Sequence, residues 1–310
     1  MDKTKTKQLL RHLSLRQLQL FEAIERLGSY TRAAKELYIT QPTASMQIKK
    51  LEHSVGLPLF EQIGKQTYLT EAGKIIHRHT QQVLDALANM EMEIADMQGL
   101  KTGHLRLAVV TTAKYFAPRA LGKFCELYPG IDVSLKVTNR ESLLQRMENH
   151  VDDLYIIGHP PQSDNMIFEP YLDNPLVVLA PRNHPLTDKS NIKPEQLAQY
   201  PFIMREPGSG TRMAIEDFFA QHKIELKIRM ELGSNEAIKH AIDAGLGLSV
   251  LSRHTLALEG VNGPLSILDV KGFPLSWHWH VGHNKGKHLS LIAETFLNFI
   301  KAESDSILHK

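Results

Sequence analysis

The sequence predicts an α plus α/β protein, helical over residues 1–100 and alternating between strands and helices thereafter. Three observations point there. Ser29 to Val55 holds two apolar runs at helical spacing around a short turn, and residues 71–97 hold one long run at heptad spacing. From His104 onward, apolar segments of strand length alternate with amphipathic stretches of helix length, the texture of a largely parallel sheet covered by helices. With 310 residues the chain is long enough for two or three compact domains with sizeable cores.

Residues 1–12 are polar and lysine-rich, with Lys3, Lys5, Lys7 and Arg11, and read as a loose tail. Leu15, Leu18, Phe21, Ala23, Ile24 and Leu27 then make an amphipathic helix closed by Gly28. Ser29 reads as the N-cap of a short helix whose apolar face is Ala33, Ala34 and Leu37. Tyr38 to Thr40 form the turn. Gln41 and Pro42 open the next helix, where proline is tolerated because a first-turn amide has no partner to lose, and Ala44, Ile48, Leu51 and Val55 give its buried face.

The other face of that helix carries Gln41, Thr43, Ser45, Gln47 and Lys49, short or bidentate hydrogen-bonders in place of a usual Glu/Lys mixture. Gln can pair with adenine, Ser and Thr with either type of groove-edge group, and a Thr methyl can touch the thymine methyl. Residues 57–69, with Gly64 and Lys65 at a turn, suit a two-stranded wing against a phosphate backbone. An ordinary helical hairpin gives the same spacing. Charge bears on the choice: residues 1–80 hold 13 Lys/Arg against 7 Asp/Glu, residues 81–100 none against 4, and the remainder 23 against 23. The basic excess therefore lies on the candidate reading head, where neutralising phosphates requires it.

Thr70 to Gly73 starts a long helix whose apolar residues Ile76, Val83, Leu87, Met90, Ile94 and Met97 alternate at three and four, with Thr80 at the one polar seam position. Such a stripe dimerises, although packing on its own domain is the competing reading. Residues 100–103 read as a hinge. Beyond it, strands are expected at 104–110, 132–137, 154–157, 176–180, 202–204, 227–232, 248–251 and 277–281, with helices at 115–127, 141–148, 211–221, 235–243 and 290–300.

Leu15 to Leu18 through Phe21, then Ser29, Thr31, Ala33-Ala34, Leu37, Thr40-Gln41-Pro42, Ser45, Ile48, Leu51-Glu52, Gly56, Leu59-Phe60, Leu69-Thr70 and Ala72-Gly73 resemble, without a gap, the winged helix-turn-helix of LysR-type transcriptional regulators. Met46 and Gln62 depart from it, since relatives often carry arginine at both places. Residues 111–118, 205–212 and 231–239 look like those of regulators of carbon-fixation (Calvin cycle) operons. The resemblance implies a winged domain at 13–70, a linker and dimerisation helix at 71–99, and an effector domain at 104–303 like the periplasmic binding proteins. Its lobes would be 104–171 with 275–303, and 172–274, joined by two crossover strands around a ligand cleft. It also implies double-stranded operator DNA with an inverted repeat as partner, DNA bending that changes with effector, and a homodimer or homotetramer. Expected DNA contacts are Ser29, Thr31, Arg32, Thr40, Gln41, Pro42, Thr43, Ser45, Gln47, Lys49 and Lys65, and the expected seam is Ile76, Val83, Leu87, Met90 and Ile94.

Two segments read as anion sites. Thr111-Thr112 end a strand before a helix, and Gly208-Ser209-Gly210-Thr211 precede another helix with Arg205 and Arg212 nearby; both offer hydroxyls, free amides and a positive dipole end. Plain capping explains either site singly; Asn139 and Arg140 open a further helix and could face the cleft, with capping the competing reading there too. The expected effector residues are Thr111, Thr112, Asn139, Arg205, Gly208, Ser209, Thr211 and Arg212, and the expected effector is a small phosphorylated or carboxylated metabolite.

Enzymatic readings fit poorly. Pro207-Gly208-Ser209-Gly210 lacks the residue that a nucleophile elbow needs between each glycine and the serine, and Gly282 to His288 has the wrong glycine spacing for a phosphate loop. The sequence offers no nucleophile or carboxylate pair, so no catalytic residue or cofactor is expected. His278 and His280 on one strand face, with His283 and His288 following, make a metal site conceivable, but strand alternation with Trp277 and Trp279 explains the spacing and no metal is expected. Cys125 is the only cysteine, which excludes an intramolecular disulfide. With no signal peptide and no apolar run of membrane length, the expected location is the cytoplasm, away from membranes. The competing class is a small-molecule binding protein or enzyme whose N-terminal part only dimerises.

Overall fold

The computed structural model describes residues 13–64, 66–97, 102–257, 263–286 and 289–303. The chain divides into two compact units at Ile94 and Ala95, inside the long helix. In the first unit, helices α1 (Leu15–Leu27), α2 (Tyr30–Glu36) and α3 (Gln41–Val55) are followed by strands β1 (Phe60–Ile63) and β2 (Gln66–Leu69) and by helix α4 (Glu71–Met97). Local chemistry marks each helix start: Ser14 forms a reciprocal box with Gln17, Ser29 accepts from the Arg32 amide, and Thr40 accepts from the Thr43 amide. Gly28 and Gly56 end α1 and α3 in the left-handed conformation, where a side chain would be strained. Most of the apolar faces read from the sequence, Phe21, Ile24, Ala33, Ala34, Ala44, Ile48 and Leu51, close one core together with Leu20 and Leu59, whereas Leu15 stays exposed at the helix start.

Strands β1 and β2 pair antiparallel from Phe60–Leu69 to Ile63–Gln66, giving the wing. Gly73 fixes how closely the start of α4 approaches it, because a Cβ there would lie 2.1 Å from the Leu59 carbonyl oxygen. Gly73→Val is therefore expected to cost the head about 1–3 kcal/mol through forced displacement of packed backbone. Chemical unfolding of the variant checks this, and a midpoint equal to the parent's would rule the contact out as a constraint. Along α4, Val83, Met90 and Ile94 are 40%, 51% and 50% exposed and Leu87 is half-buried. Ile76 differs from the seam expectation: it packs on the head's own core, since it lies only one turn from the wing. Thr80, the polar seam position, is buried within this chain. The tail at 1–12, Lys65, and residues 100 and 101 of the hinge at 100–103 lie outside the described residues; Gly103 already belongs to a strand.

The second unit is two-lobed. One lobe contains β3 (Gly103–Val110), α5 (Ala117–Leu127), β4 (Ile131–Thr138), α6 (Arg140–Glu148), β5 (Leu154–Ile157) and β6 (Met166–Asp173). The other contains β7 (Leu176–Pro181), α7 (Pro194–Leu197), β8 (Pro201–Arg205), α8 (Gly210–Gln221), β9 (Lys227–Leu232), α9 (Asn235–Asp243), β10 (Ser249–Ser252) and β11 (Leu265–Ile267). Strand β12 (His278–Asn284) and helix α10 (Leu291–Ala302) return to the first lobe. Its sheet has the order β4-β3-β5-β12-β6.

The sheets are less parallel than the alternation suggests. Strand β3 is parallel to β4 and β5, but β12 is antiparallel to β5 and β6. The reason is topological: β6 leads the chain out of the lobe and β12 brings it back, so neighbours in the sheet run in opposite directions. The two connections between lobes lie side by side, with the Asn174 amide donating to Trp277 O at 2.7 Å and Leu176 and Leu275 exchanging backbone bonds of 3.1 and 3.0 Å. In the second lobe β7 is antiparallel to β10 and β11, while β8 and β9 are parallel. Strand β6 escapes the sequence reading because Glu169, Pro170 and Asp173 interrupt its apolar pattern. Among the described residues no helix is long and apolar enough to cross a membrane.

Candidate functional site

The first unit presents one polar helix face. On α3, Gln41, Pro42 and Lys49 are exposed and Thr43, Ser45 and Gln47 half-buried, and Pro42, Ser45, Met46, Lys49, Lys50 and His53 line an open groove. Some of these groups already bond each other. Gln41 Nε2 donates to Ser45 Oγ at 3.1 Å, the Thr40 and Thr43 hydroxyls are 2.8 Å apart, and Gln17 Nε2 donates to Gln47 Oε1 at 3.3 Å. Thr31 and Arg32 are exposed on α2, with the Arg32 guanidinium hydrogen-bonded to Leu27 O, and Ser29 is occupied as the α2 cap. Gln47 is thus turned toward α1 rather than left free, whereas Lys49 remains exposed.

The second unit holds a small polar cleft between its lobes, with a cavity volume of about 30 Å³. Of the eight expected effector residues, Thr111, Thr112, Asn139, Arg205, Ser209 and Thr211 line it. Ser209 is the N-cap residue of α8 yet makes no capping bond, so its hydroxyl is free although the residue is only 4% exposed. The first amides of α8 have no acceptor within the helix and point out of its start. On the facing lobe Asn139 Oδ1 accepts from the Ser142 amide at 2.9 Å, capping α6 and leaving its NH2 to donate. Thr112 Oγ1 accepts from Trp279 Nε1 at 3.2 Å, which leaves the Thr112 hydroxyl hydrogen available.

The remaining expectations need correction. Thr111 and Thr112 do not open an α-helix: Thr111–Tyr115 is a short 3-10 turn, α5 begins at Ala117, and no accumulated dipole stands behind the two threonines. The first lobe's helix start at the cleft is that of α6. Arg212 lies outside the cleft lining, because Glu216 and Glu231 each hold its guanidinium at 2.7 Å and raise its pKa. Gly208 is outside the lining too; at φ +80° it turns the chain so that a Cβ would meet Glu141 Oε2 at 3.4 Å. Sequence reasoning missed His159, Asn174 and Trp277 as lining residues. They come from ordinary-looking loop and crossover segments, and only the pairing of the two connections brings them to the cleft.

Contacts across the cleft come from both lobes. Arg205 Nη2 donates to Thr111 Oγ1 at 3.2 Å, while Glu236 of α9 accepts from Lys114 Nζ at 2.6 Å and from the Tyr115 hydroxyl at 2.5 Å. Burial pushes the Glu236 carboxyl up, but these bonds outweigh it and hold the group at about 2. Burial and the neighbouring Glu236 raise the Tyr115 phenol. Arg205 itself is 1% exposed and is held by Glu206 through two bonds of 2.7 and 2.8 Å and by Asn235 Oδ1 at 2.7 Å. No Asp or Glu lines the cleft. Among the described residues no three His, Cys, Asp or Glu side chains are grouped to hold a metal ion, and His278 instead pairs with Asp173 at 3.1 Å.

Comparison with known proteins matches both units of the chain. Residues 15–74 match the family model of the bacterial regulatory helix-turn-helix protein, lysR family, and residues 98–305 match the LysR substrate binding domain. The chain is 49% identical over 298 residues to the HTH-type transcriptional activator CmpR of Synechocystis sp., covering 96% of this chain and 98% of that one. It is 42% identical over 296 residues to the HTH-type transcriptional regulator CbbR of Rhodospirillum rubrum, covering 95% and 98%. Among solved structures, the Synechocystis PCC6803 CcmR regulatory domain in complex with 2-PG is 54% identical with a TM-score of 0.64, covering 66% of this chain and 98% of that one. Full-length CbnR, at 20% identity and a TM-score of 0.67 over 94% of this chain and 99% of its own, shares the fold. Matched over most of its length by regulators and by both family models, the chain belongs to the LysR family and is a LysR-type DNA-binding transcriptional regulator.

Proposed function

We propose that the protein binds an inverted-repeat operator as a homodimer or a dimer of dimers, with α3 in the major groove and the wing along the backbone, and that a small anionic metabolite in the cleft changes its hold on DNA. The cleft carries this reading: it brings two helix starts, free hydroxyls and arginine together and lines them with no carboxylate. A ligand touching both lobes favours their closed arrangement, and its differential affinity is the whole energy available to act on the heads. The 2-PG (2-phosphoglycolate) bound by the Synechocystis regulatory domain is the natural first probe. Footprinting on the DNA upstream of its own gene, with and without this compound, tests the reading, and indifference of the footprint to every small phosphorylated or carboxylated metabolite would reject the effector half. The cytoplasm is the proposed location, as contact with DNA requires.

On α3, Gln41→Ala and Ser45→Ala are each expected to weaken operator binding by roughly 1–3 kcal/mol, the value of a good base contact, while weak nonspecific binding persists. The two side chains bond each other, so the double variant should lose less than the sum of the single losses. Competition binding against unrelated DNA measures this. Parent-like discrimination by both single variants would mean that α3 does not read bases.

A further inference from the structure

Resting on the anionic-effector reading of the cleft, we propose that Arg140, rather than Arg205, supplies the free positive charge that holds the effector's phosphoryl group. These two arginines are the cleft's permanently charged lining residues, and they differ in what they have left to offer. A guanidinium has five N–H donors. Arg205 commits four of them: Nε and Nη2 to the Glu206 carboxylate, Nη2 again to Thr111 Oγ1, and Nη1 to Asn235 Oδ1. Its charge is cancelled by Glu206 at 2.7 Å, and its side chain is 2% exposed. An anion approaching Arg205 meets an ion pair.

Arg140 is the opposite case. Its one hydrogen bond among the described residues runs from Nε to the carbonyl of His159 at 3.2 Å, which leaves both Nη groups without an acceptor, and no carboxylate pairs with it. The bond to His159 O anchors the inner end of the guanidinium, and His159 is backed by Trp277, with ring centroids 5.4 Å apart. Two free, coplanar Nη groups suit a bidentate grip on a phosphoryl group. Burial draws the Arg140 guanidinium below its ordinary value, whereas hydrogen bonds to Glu36 and Glu22 raise Arg26, and hydrogen bonding to Asp152 raises Arg146. An anion would relieve that desolvation.

Position adds to charge. Arg140 is the first residue of α6, so an anion gripped by it also faces the unpaired first amides of that nine-residue helix and the Asn139 NH2. Across the cleft, Gly210 lies against Arg140, where an added Cβ would sit 3.8 Å from the arginine Cδ. The free Ser209 hydroxyl and the α8 amides are therefore close enough to share the same ligand, which would then touch both lobes. Neither lysine nor histidine reproduces this arrangement, since neither offers a planar pair of donors.

The test is titration of the full-length protein by calorimetry with 2-phosphoglycolate and, separately, with glycolate, which lacks the phosphoryl group. The parent should prefer 2-phosphoglycolate. Arg140→Ala should weaken 2-phosphoglycolate binding roughly tenfold to a hundredfold, the range for losing charge-assisted hydrogen bonds, and abolish the preference over glycolate. Arg140→Lys, keeping the charge without the fork, should recover part of the loss. The unliganded melting temperature of both variants should match the parent's, because Arg140 makes only one bond within the protein. If the parent binds 2-phosphoglycolate and Arg140→Ala binds it equally well, the assignment of Arg140 is overturned and the anionic-effector reading stands. Should the parent bind neither compound nor any other small anion, the reading of the cleft falls and Arg140 with it.

Discussion

Arg205→Met is expected to destabilise the effector-binding unit by about 3–5 kcal/mol, the cost of removing one member of a buried ion pair. Arg205 lies almost wholly inside the protein, where four hydrogen bonds tie strand β8 to the adjoining Glu206, to Asn235 at the start of α9, and to Thr111 in the other lobe. Methionine fills much of the same space and satisfies none of them. The Glu206 carboxylate, whose side chain is only 21% exposed, would lose its counter-charge, and the Asn235 amide would be left with neither end partnered, since its Nδ2 already lacks an acceptor. The partial exposure of Glu206 places the expected cost toward the lower part of the range. For a unit of this size each kcal/mol moves the midpoint by about 2–4 °C, so calorimetry of the full chain should show the effector transition about 10 °C lower while the head's transition stays in place. A shift too small to measure would mean that water replaces the guanidinium, and that Arg205 is not the strut of this wall.

Arg205 also shows what a sequence can and cannot disclose about such a site. Elements whose signals are local were legible: Ser29 and Pro42 mark helix starts, Gly28 marks an end, and the periodicity of Ala44, Ile48 and Leu51 gives the buried face of α3. Cleft residues beside helix starts were legible for the same reason, and Asn139, Ser209 and Thr211 line the cleft. What one chain segment does not encode is the partner of a long charged side chain. Arg205 and Arg212 look equivalent in sequence, seven positions apart, yet Glu206 and Asn235 tie one down inside the cleft wall while Glu216 and Glu231 turn the other away from it. Arg140 could be placed beside the cleft by its helix start, but nothing in the sequence shows that its one side-chain bond among the described residues goes to the His159 carbonyl rather than to a carboxylate. Thr111 and Thr112 illustrate the other failure: the run from strand to helix is correct, but a 3-10 turn intervenes and moves the helix start past them to Ala117.

Leu87→Glu is expected to separate the proposed dimer and to lower affinity for a complete operator about a hundredfold or more. Helix α4 has 27 residues, about 40 Å of length at 1.5 Å per residue, so only its first turns can lie against a head of three short helices. Past them, Val83, Met90 and Ile94 stay 40–51% exposed in the single chain at the three-and-four spacing of a coiled-coil seam, with Leu87 between them. A second copy of α4 would cover this stripe. A glutamate at Leu87 would be taken out of water at the middle of that seam, and the two-fold symmetry of a dimer would place a second glutamate nearby with no cation to compensate either. Dimerisation makes binding of the second half-site effectively intramolecular, an advantage of about 10²–10⁴ that the monomer forfeits. Sedimentation should therefore show a monomer, and anisotropy titrations should show the loss on the full inverted repeat. On DNA carrying one half-site, variant and parent should bind alike, because the core that holds α3 and the wing together does not include Leu87. Loss on the single half-site as well would mean that the substitution damaged the head, and an unchanged sedimentation coefficient would remove α4 from the interface.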